Sequence, residues 1–190
     1  VYKRQSCDRA HHGIIHTATG EVERVDAVFP VLHGMNGEDG TIQGLLTIAG
    51  IPFVGCNTEA SAVCMDKAVT NALADFYGIP QAKWTAFDRH AYAADKALLL
   101  KTAADKLGFP IFVKPANTGS SVGVTKVCSF DELAPACEKA FEFDKKIVLE
   151  EGIDGVEIEC AVLGNEEPIA SVVGEIVPCN DFYDYDAKYL

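Results

Sequence analysis

Two lysines and a loop of small residues carry the first chemical signal in the sequence. Lys67 follows Cys64-Met65-Asp66, and Lys114 ends the apolar run Ile111-Phe112-Val113, just ahead of Pro115. Between that run and Val122-Gly123-Val124-Thr125-Lys126-Val127 lies Asn117-Thr118-Gly119-Ser120-Ser121. A Gly/Ser loop joining two strands exposes several backbone N–H groups at once, and such a concavity suits phosphate oxygens. A lysine at the end of the strand leading in adds a point charge. The loop fits neither GxxxxGK[ST] nor G-x-G-x-x-G, so it is neither a P-loop nor a dinucleotide fingerprint. A plain β-hairpin turn is the competing reading of the same residues.

Glu150 and Glu151 close another apolar run, Ile147-Val148-Leu149, and Glu157 follows shortly after. They read either as a solvated strand end or as a hinge between two lobes. In the hinge, backbone groups would meet an adenine edge and Glu157 would accept hydrogen bonds from ribose hydroxyls. His33 stands directly after the run at 25–32, where α/β sheets put ligand groups; a satisfied histidine in a turn is the alternative. His11, His12 and His16 lie close in sequence but lack the carboxylate or cysteine spacing of a metal site. The stretch 182–189, Phe-Tyr-Asp-Tyr-Asp-Ala-Lys-Tyr, is too aromatic and charged for a core strand. It reads as an ordered loop covering a site or as a frayed end.

The elements that must position these groups follow from the apolar patterning. The nearly continuous β-branched run at 25–32 predicts a strand buried on both faces. A loop of turn residues follows, then a helix from Thr41 that stops at Gly50 with Pro52 beyond, and a short strand at 51–54. Further helices are expected at 67–77, closed by Gly78, and at 91–107, closed by Gly108. Ser129 and Glu132 form a capping box that opens a helix to about 143, with Pro135 a misfit inside it. Strands are expected at 111–115, 122–127, 147–150, 156–163 and 169–176. The order is that of an α/β layered protein.

Composition bounds the function classes. A length of 190 residues allows one to two domains, and 48% hydrophobic with 23% charged residues is a globular profile. No apolar run reaches the ~18 residues of a membrane span, and no apolar stretch near the start reads as a secretory signal. Sixteen basic against twenty-eight acidic residues argue against wrapping a nucleic-acid backbone. The seven cysteines are odd in number and lack CxxC spacing. Set mostly among Val, Ala and Ile, they predict small reduced hydrophobes in a core and a cytoplasmic compartment. The first residue is not Met and the last residues form no closing element, so an internal piece of a longer protein is expected.

Together these segments resemble the D-alanine–D-alanine ligases, ATP-grasp enzymes of peptidoglycan synthesis. The resemblance is carried by Val28-Phe29-Pro30-Val31-Leu32-His33-Gly34, Gly37-Glu38-Asp39-Gly40-Thr41-Ile42-Gln43-Gly44 and Cys64-Met65-Asp66-Lys67. It continues through Val113-Lys114-Pro115, Gly119-Ser120-Ser121-Val122-Gly123-Val124 and the stretch at 182–189. It implies a partial preATP-grasp (Rossmann-like) domain over 1–65, followed by an ATP-grasp domain over 66–190 truncated at its C-terminal side. By resemblance, Lys67 and Lys114 bind ATP phosphates. Ser120 and Ser121 lie in a loop closing over the nucleotide, where Ser120 organises the active site with Tyr189. Glu150 and Glu151 meet the adenine edge, and Glu157 meets the ribose. Lys188 approaches the γ-phosphate and the substrate carboxylate, and His33 and Glu38 help form the D-alanine pocket.

Three things depart from the family pattern. Parts of the site are missing: the glutamate near the start that engages the first substrate's amine, and the arginine that, with the metal ligands, is expected beyond Leu190. A lysine often stands where this chain has Glu151, so only backbone contact with adenine carries over there. Asn117-Thr118 replaces a commoner charged pair. The resemblance further implies ATP with Mg²⁺ (or Mn²⁺), the metal ligands being expected beyond Leu190. It implies a homodimer in the full-length protein, cytoplasmic, with no nucleic-acid or membrane partner. The expected reaction joins two D-alanines through an acyl phosphate. The alternatives are the D-alanine–D-serine ligase of vancomycin-resistant bacteria and a nucleotide-binding module without catalysis.

Overall fold

The computed structural model describes residues 3–177. Its organising element is a four-stranded antiparallel sheet of β4 (Trp84–Asp88), β7 (Lys146–Glu151), β5 (Ile111–Pro115) and β6 (Thr125–Val127), in that spatial order. Side chains alternate between the faces of a strand. In β5, Ile111, Val113 and Pro115 are therefore buried while Phe112 and Lys114 are half-buried on the opposite face. Register puts Phe112 opposite Glu150 and Lys114 opposite Val148. Residues directly opposite share a face, so the lysine and glutamate ends of two strands are brought to one side of the sheet.

The other side is the core. Helices α4 (Arg89–Ala94), α5 (Lys96–Leu107) and α6 (Phe130–Ala140) cover it with Tyr92, Leu100, Leu107, Leu133 and Cys137, packed on Ile111, Val113, Ile147 and Leu149. Phe87 and Tyr92 stack with planes 3° apart and centroids at 5.8 Å. The helix expected at 91–107 is thus two helices. Asp95 leaves the helical region (φ −152°, ψ 72°) and its carboxylate accepts the Leu98 N–H at 3.0 Å, so it caps a new helix instead of continuing the old one. The capping box before α6 forms differently from expectation: Glu132 reaches back past the cap residue to the Cys128 N–H at 2.8 Å, while the Ser129 side chain makes no cap bond.

The strand expected at 122–127 begins only at Thr125. Ser120, Ser121 and Gly123 hold left-handed φ values of 53°, 58° and 73°, which no ladder accommodates. At Gly123 the fit is also steric, since a Cβ would lie 2.7 Å from the Phe143 ring and 2.8 Å from Pro115. The runs at 156–163 and 169–176 break into β8 (Glu157–Glu159), β9 (Val162–Leu163), β10 (Ile169–Ala170) and β11 (Gly174–Ile176). These pair as β8 with β11 and β9 with β10, and their side chains are exposed except for a half-buried Ile176.

Ahead of the sheet, β1 (Lys3–Gln5), β2 (Gly13–His16) and β3 (Val22–Arg24) form an antiparallel meander that the sequence patterning did not predict. Helix α1 (Thr41–Ala49) stops as expected, because Gly50 turns left-handed (φ 70°) and donates back to the Leu46 and Thr47 carbonyls. Its Leu46 and Ala49, with Ile51 just beyond the cap, form a second, smaller core with Val25, Val28 and Phe53. The strand expected to be buried at 25–32 is not formed. It makes one parallel bridge, Val28 to Phe53, which is also all that forms of the strand expected at 51–54, and Phe29 and Val31 are more than 70% exposed. Burial on both faces needs neighbours and cover on both sides, and the described residues supply one bridge.

Helix α2 (Thr58–Met65) starts on Asn57, which accepts the Ala60 N–H at 2.8 Å, and leads into α3 (Lys67–Phe76). Cysteine burial departs from expectation: Cys137 is in the core, but Cys7, Cys56, Cys64, Cys128 and Cys160 are exposed free thiols. Apolar neighbours in sequence did not mean a buried face, as Cys64 on the outer side of α2 illustrates. No helix among the described residues is long and apolar enough to cross a membrane.

Candidate functional site

Lys67 opens α3, and the turn before it fixes its direction. The Asp66 carboxylate accepts the Ala68 and Val69 N–H groups at 3.1 and 3.2 Å and is ion-paired with Lys146. Burial works to raise the Asp66 carboxyl, but the Lys146 bond and charge and the two backbone N–H groups together hold it below the ordinary range. The Lys67 amine then points across to the loop after β5. It donates to the carbonyls of Thr118, Pro115 and Ala116 at 2.6, 3.1 and 3.4 Å. An ammonium has three protons, so in this state each is taken by the backbone of the loop. Lys67 therefore holds the loop and lends it charge, and meets a phosphate directly only by releasing a carbonyl.

Burial pushes the Lys67 ammonium down to about 8, helped by the charge of Lys114 and opposed by Glu150, Asp144 and Asp66. The charged form is thus disfavoured by folding: the cost is full below pH 8 and is relieved as pH rises from about 8 towards the unfolded value of 10.5. An anion beside it reverses this preference. Affinity for a polyphosphate is expected to fall as pH rises above about 8, by up to about tenfold per pH unit for one linked proton. Titrations from pH 6.5 to 9.5 check it, with Lys67→Arg expected to flatten the profile; a flat profile in the unsubstituted protein would show that Lys67 does not sense the ligand.

Lys114, on the open face of β5, is paired with Glu150, whose other oxygen accepts from Asn71 Nδ2 at 3.1 Å. Glu151 turns the other way. Its carboxylate takes the Lys83 N–H at 2.8 Å and the Lys83 ammonium at 3.0 Å, and the backbone bond first, then the side chain, hold it below the usual carboxylate range. Its own N–H donates to the Lys83 carbonyl at 2.9 Å, so that group belongs to the strand ladder. Lys67, Lys114, Ser120, Ser121, Glu150, Glu151 and the exposed Glu157 line one cavity of about 520 Å³, with Phe112 and Ile153 as apolar walls.

A second cavity, of about 580 Å³, lies across the loop. His33, Gly34 and Met35 form one side and Phe143 and Asp144 another. The Glu38 carboxylate accepts the Gly34 N–H, and a Cβ on Gly119 would stand 3.1 Å from the Gly34 Cα. The loop therefore rests directly on the His33–Glu38 turn. Thr118, Gly119 and Ser120 line both cavities and so form the wall between them.

Sequence reasoning missed Asn71, Lys83, Asp144 and Lys146, which hold Glu150, Glu151, Asn117 and Asp66 respectively. None has a motif, since each meets its partner only through the fold. Lys188 and Tyr189 lie outside the described residues. Among the described residues no three His, Cys, Asp or Glu side chains converge on a metal position. His11, His12 and His16 bond instead to Ser6, to the Val25 and Gly50 carbonyls, and to Glu23.

Known proteins supply the context for this geometry. A family model described as "D-ala D-ala ligase N-terminus" matches residues 3–56, and one described as "D-ala D-ala ligase C-terminus" matches residues 73–190. A D-alanine–D-alanine ligase of Acetivibrio thermocellus is 52% identical over 168 residues, covering 88% of this chain and 45% of the relative. One of Thermoanaerobacter sp. is 50% identical over 182 residues, covering 95% of this chain and 50% of the relative. Among solved structures, the VanG D-Ala:D-Ser ligase of Enterococcus faecalis superposes with a TM-score of 0.82 at 44% identity, covering 97% of this chain and 52% of that one. The D-alanine–D-alanine ligase of Coxiella burnetii gives 0.79 at 38%, covering 87% and 48%. The chain spans about half the length of the curated relatives it matches.

Proposed function

Because the chain belongs to the D-alanine–D-alanine ligase family, with its ATP-grasp fold, we propose that its full-length protein joins two D-alanines at the expense of ATP to supply a peptidoglycan precursor. The observation that carries this reading is the shared wall at 118–120. A phosphoryl donor held by Lys67 and Lys114 would lie on one side, and a carboxylate acceptor near His33 on the other. Glu38 lines a neighbouring cavity and is tied to this one through its bond to the Gly34 N–H. A carboxylate is a poor electrophile, so it first takes the γ-phosphoryl group of ATP, releasing ADP. The amine of the second D-alanine then attacks the acyl carbon, the amine proton is lost, and phosphate leaves. The residues here supply position and charge, with little covalent work to do.

Lys67, Lys114, Ser120 and Ser121 face the phosphates in this proposal, Glu150 and Glu151 flank the adenine edge, and Glu157 accepts from the ribose. Lys188 and Tyr189 close over the reacting groups. A divalent cation, Mg²⁺ or Mn²⁺, would neutralise phosphate charge when bound; the described residues do not form its site. The division into domains at 65/66 is supported by the separation of the two hydrophobic cores. The free thiols support a cytoplasmic setting, and the net acidity supports a protein without nucleic-acid or membrane partners. The homodimer rests on family membership alone.

A second reading has one specific observation behind it, the likeness to a ligase described as D-Ala:D-Ser. One experiment separates the possibilities. The full-length protein is given ATP with D-alanine and D-serine in competition, phosphate release is followed, and the products are resolved by mass. D-alanyl-D-alanine as the main product is expected. A dominant D-alanyl-D-serine product would favour the second reading, and ATP binding without D-alanine-dependent phosphate release would leave a non-catalytic module.

A further inference from the structure

The loop that separates the two cavities is fixed at its start by a contact outside both the lysines and the serines. Asn117 stands two residues beyond the end of β5. Its backbone N–H and its Nδ2 both donate to the same oxygen, Oδ2 of Asp144, at 2.8 Å each. The other Asp144 oxygen accepts the Lys146 N–H at 3.2 Å, which ties the carboxylate to the first residue of β7. From Lys146 the chain of contacts runs on through its ammonium to Asp66, the cap of α3, and from there to Lys67 and the Thr118 carbonyl. Inside the loop, Thr118 Oγ1 donates to the Val122 carbonyl at 3.0 Å. The wall is thus anchored by a carboxylate fork one residue before it and by an ammonium on its first residue.

We infer that Asp144 and Asn117 act as a pair of positioning residues, a clamp that sets where residues 118–120 stand between the nucleotide and the acceptor. The pairing needs one carboxylate and one amide. Two carboxylates would repel and two amides would pair weakly, so the identities of the partners matter more than their volumes. The clamp rests on the nucleotide reading of the first cavity.

The test uses the full-length protein with Asn117→Asp, Asp144→Asn and the exchange carrying both, measuring ATP affinity by calorimetry, kcat and KM for ATP and D-alanine, and thermal unfolding. Asn117→Asp is expected to weaken ATP binding and raise its KM about tenfold, the size of one charge-assisted hydrogen bond. In the exchange, the amide nitrogen at 144 takes the Oδ2 position and donates to the carboxylate at 117, while the amide oxygen keeps the Lys146 N–H. The backbone N–H of 117 loses its acceptor, so affinity is expected to recover only in part, to a value between those of Asn117→Asp and the parent. Affinity within twofold of the parent for Asn117→Asp overturns the clamp, as does an exchange no better than that single variant. If Asn117→Asp does not fold, Asp144→Asn decides: a KM for ATP raised at least threefold upholds the inference, and a smaller change overturns it. Absence of ATP binding by the unsubstituted protein would defeat the nucleotide reading itself, whereas binding indifferent to these substitutions defeats only the clamp.

Discussion

Lys114→Ala in the full-length protein is expected to weaken ATP binding about ten- to a hundredfold, since a hydrogen bond to a charged group contributes about 1.5–3 kcal/mol. D-alanine binding should change far less, because Lys114 lines the first cavity and not the second. The structure adds a reason for the upper end of that range. Lys114 neutralises Glu150, and its removal leaves a carboxylate without its cation in the cavity that would hold the nucleotide. The double variant Lys114→Ala with Glu150→Gln should therefore bind ATP better than the single one, a sign that simple loss of a contact would not give. Calorimetry on both variants reads this directly. An unchanged nucleotide affinity in Lys114→Ala would mean that the lysine is a surface group and the phosphate reading of this loop is wrong.

Lys67→Met should be the more damaging substitution, with a loss of over about a hundredfold in kcat/KM for ATP. It removes the charge and also three donors from the Pro115, Ala116 and Thr118 carbonyls, each worth about 1 kcal/mol or more when charge-assisted. Methionine fills nearly the same volume, so the effect is not that of a cavity. D-alanine kinetics should suffer as well, unlike in Lys114→Ala, because the freed loop is the wall of both cavities. A loss of less than about tenfold, with D-alanine kinetics untouched, would reduce Lys67 to a packing residue.

The site was legible in the sequence to the extent that it is local. Lys114 at the end of a strand, the Gly/Ser loop after it and Lys67 after a capping aspartate are all read within a few residues, and they do meet around one cavity. What holds them is not local: Asp144, Asn71, Lys83 and Lys146 have no pattern of their own, and only the pairing of β5 with β7 and the docking of α3 bring them in. The same division runs through the fold. Gly50 and Gly78 stopped their helices where expected, because a left-handed cap is a property of one residue. The break at Asp95 went unread although its signal, an aspartate three residues before Leu98, was present; without a Gly or Pro, helix propensity outweighed it. The run at 25–32 shows the reverse error, strong β propensity without the partners that would use it.

The order of strands has a consequence for a chain emerging from the ribosome. β4 and β5 are made first, yet they do not touch: both pair with β7, which is made last of the four. β5 can fold back on β6 as a hairpin as soon as both have appeared, but β4 has no strand partner until residues 146–151 are synthesised. Insertion of that one strand joins the two halves of the sheet, brings Glu150 to Lys114 and carries Lys146 to Asp66. Completion of the sheet and assembly of the charged cavity are therefore a single event, and a nascent chain cannot hold the ligand before it can hold its own core.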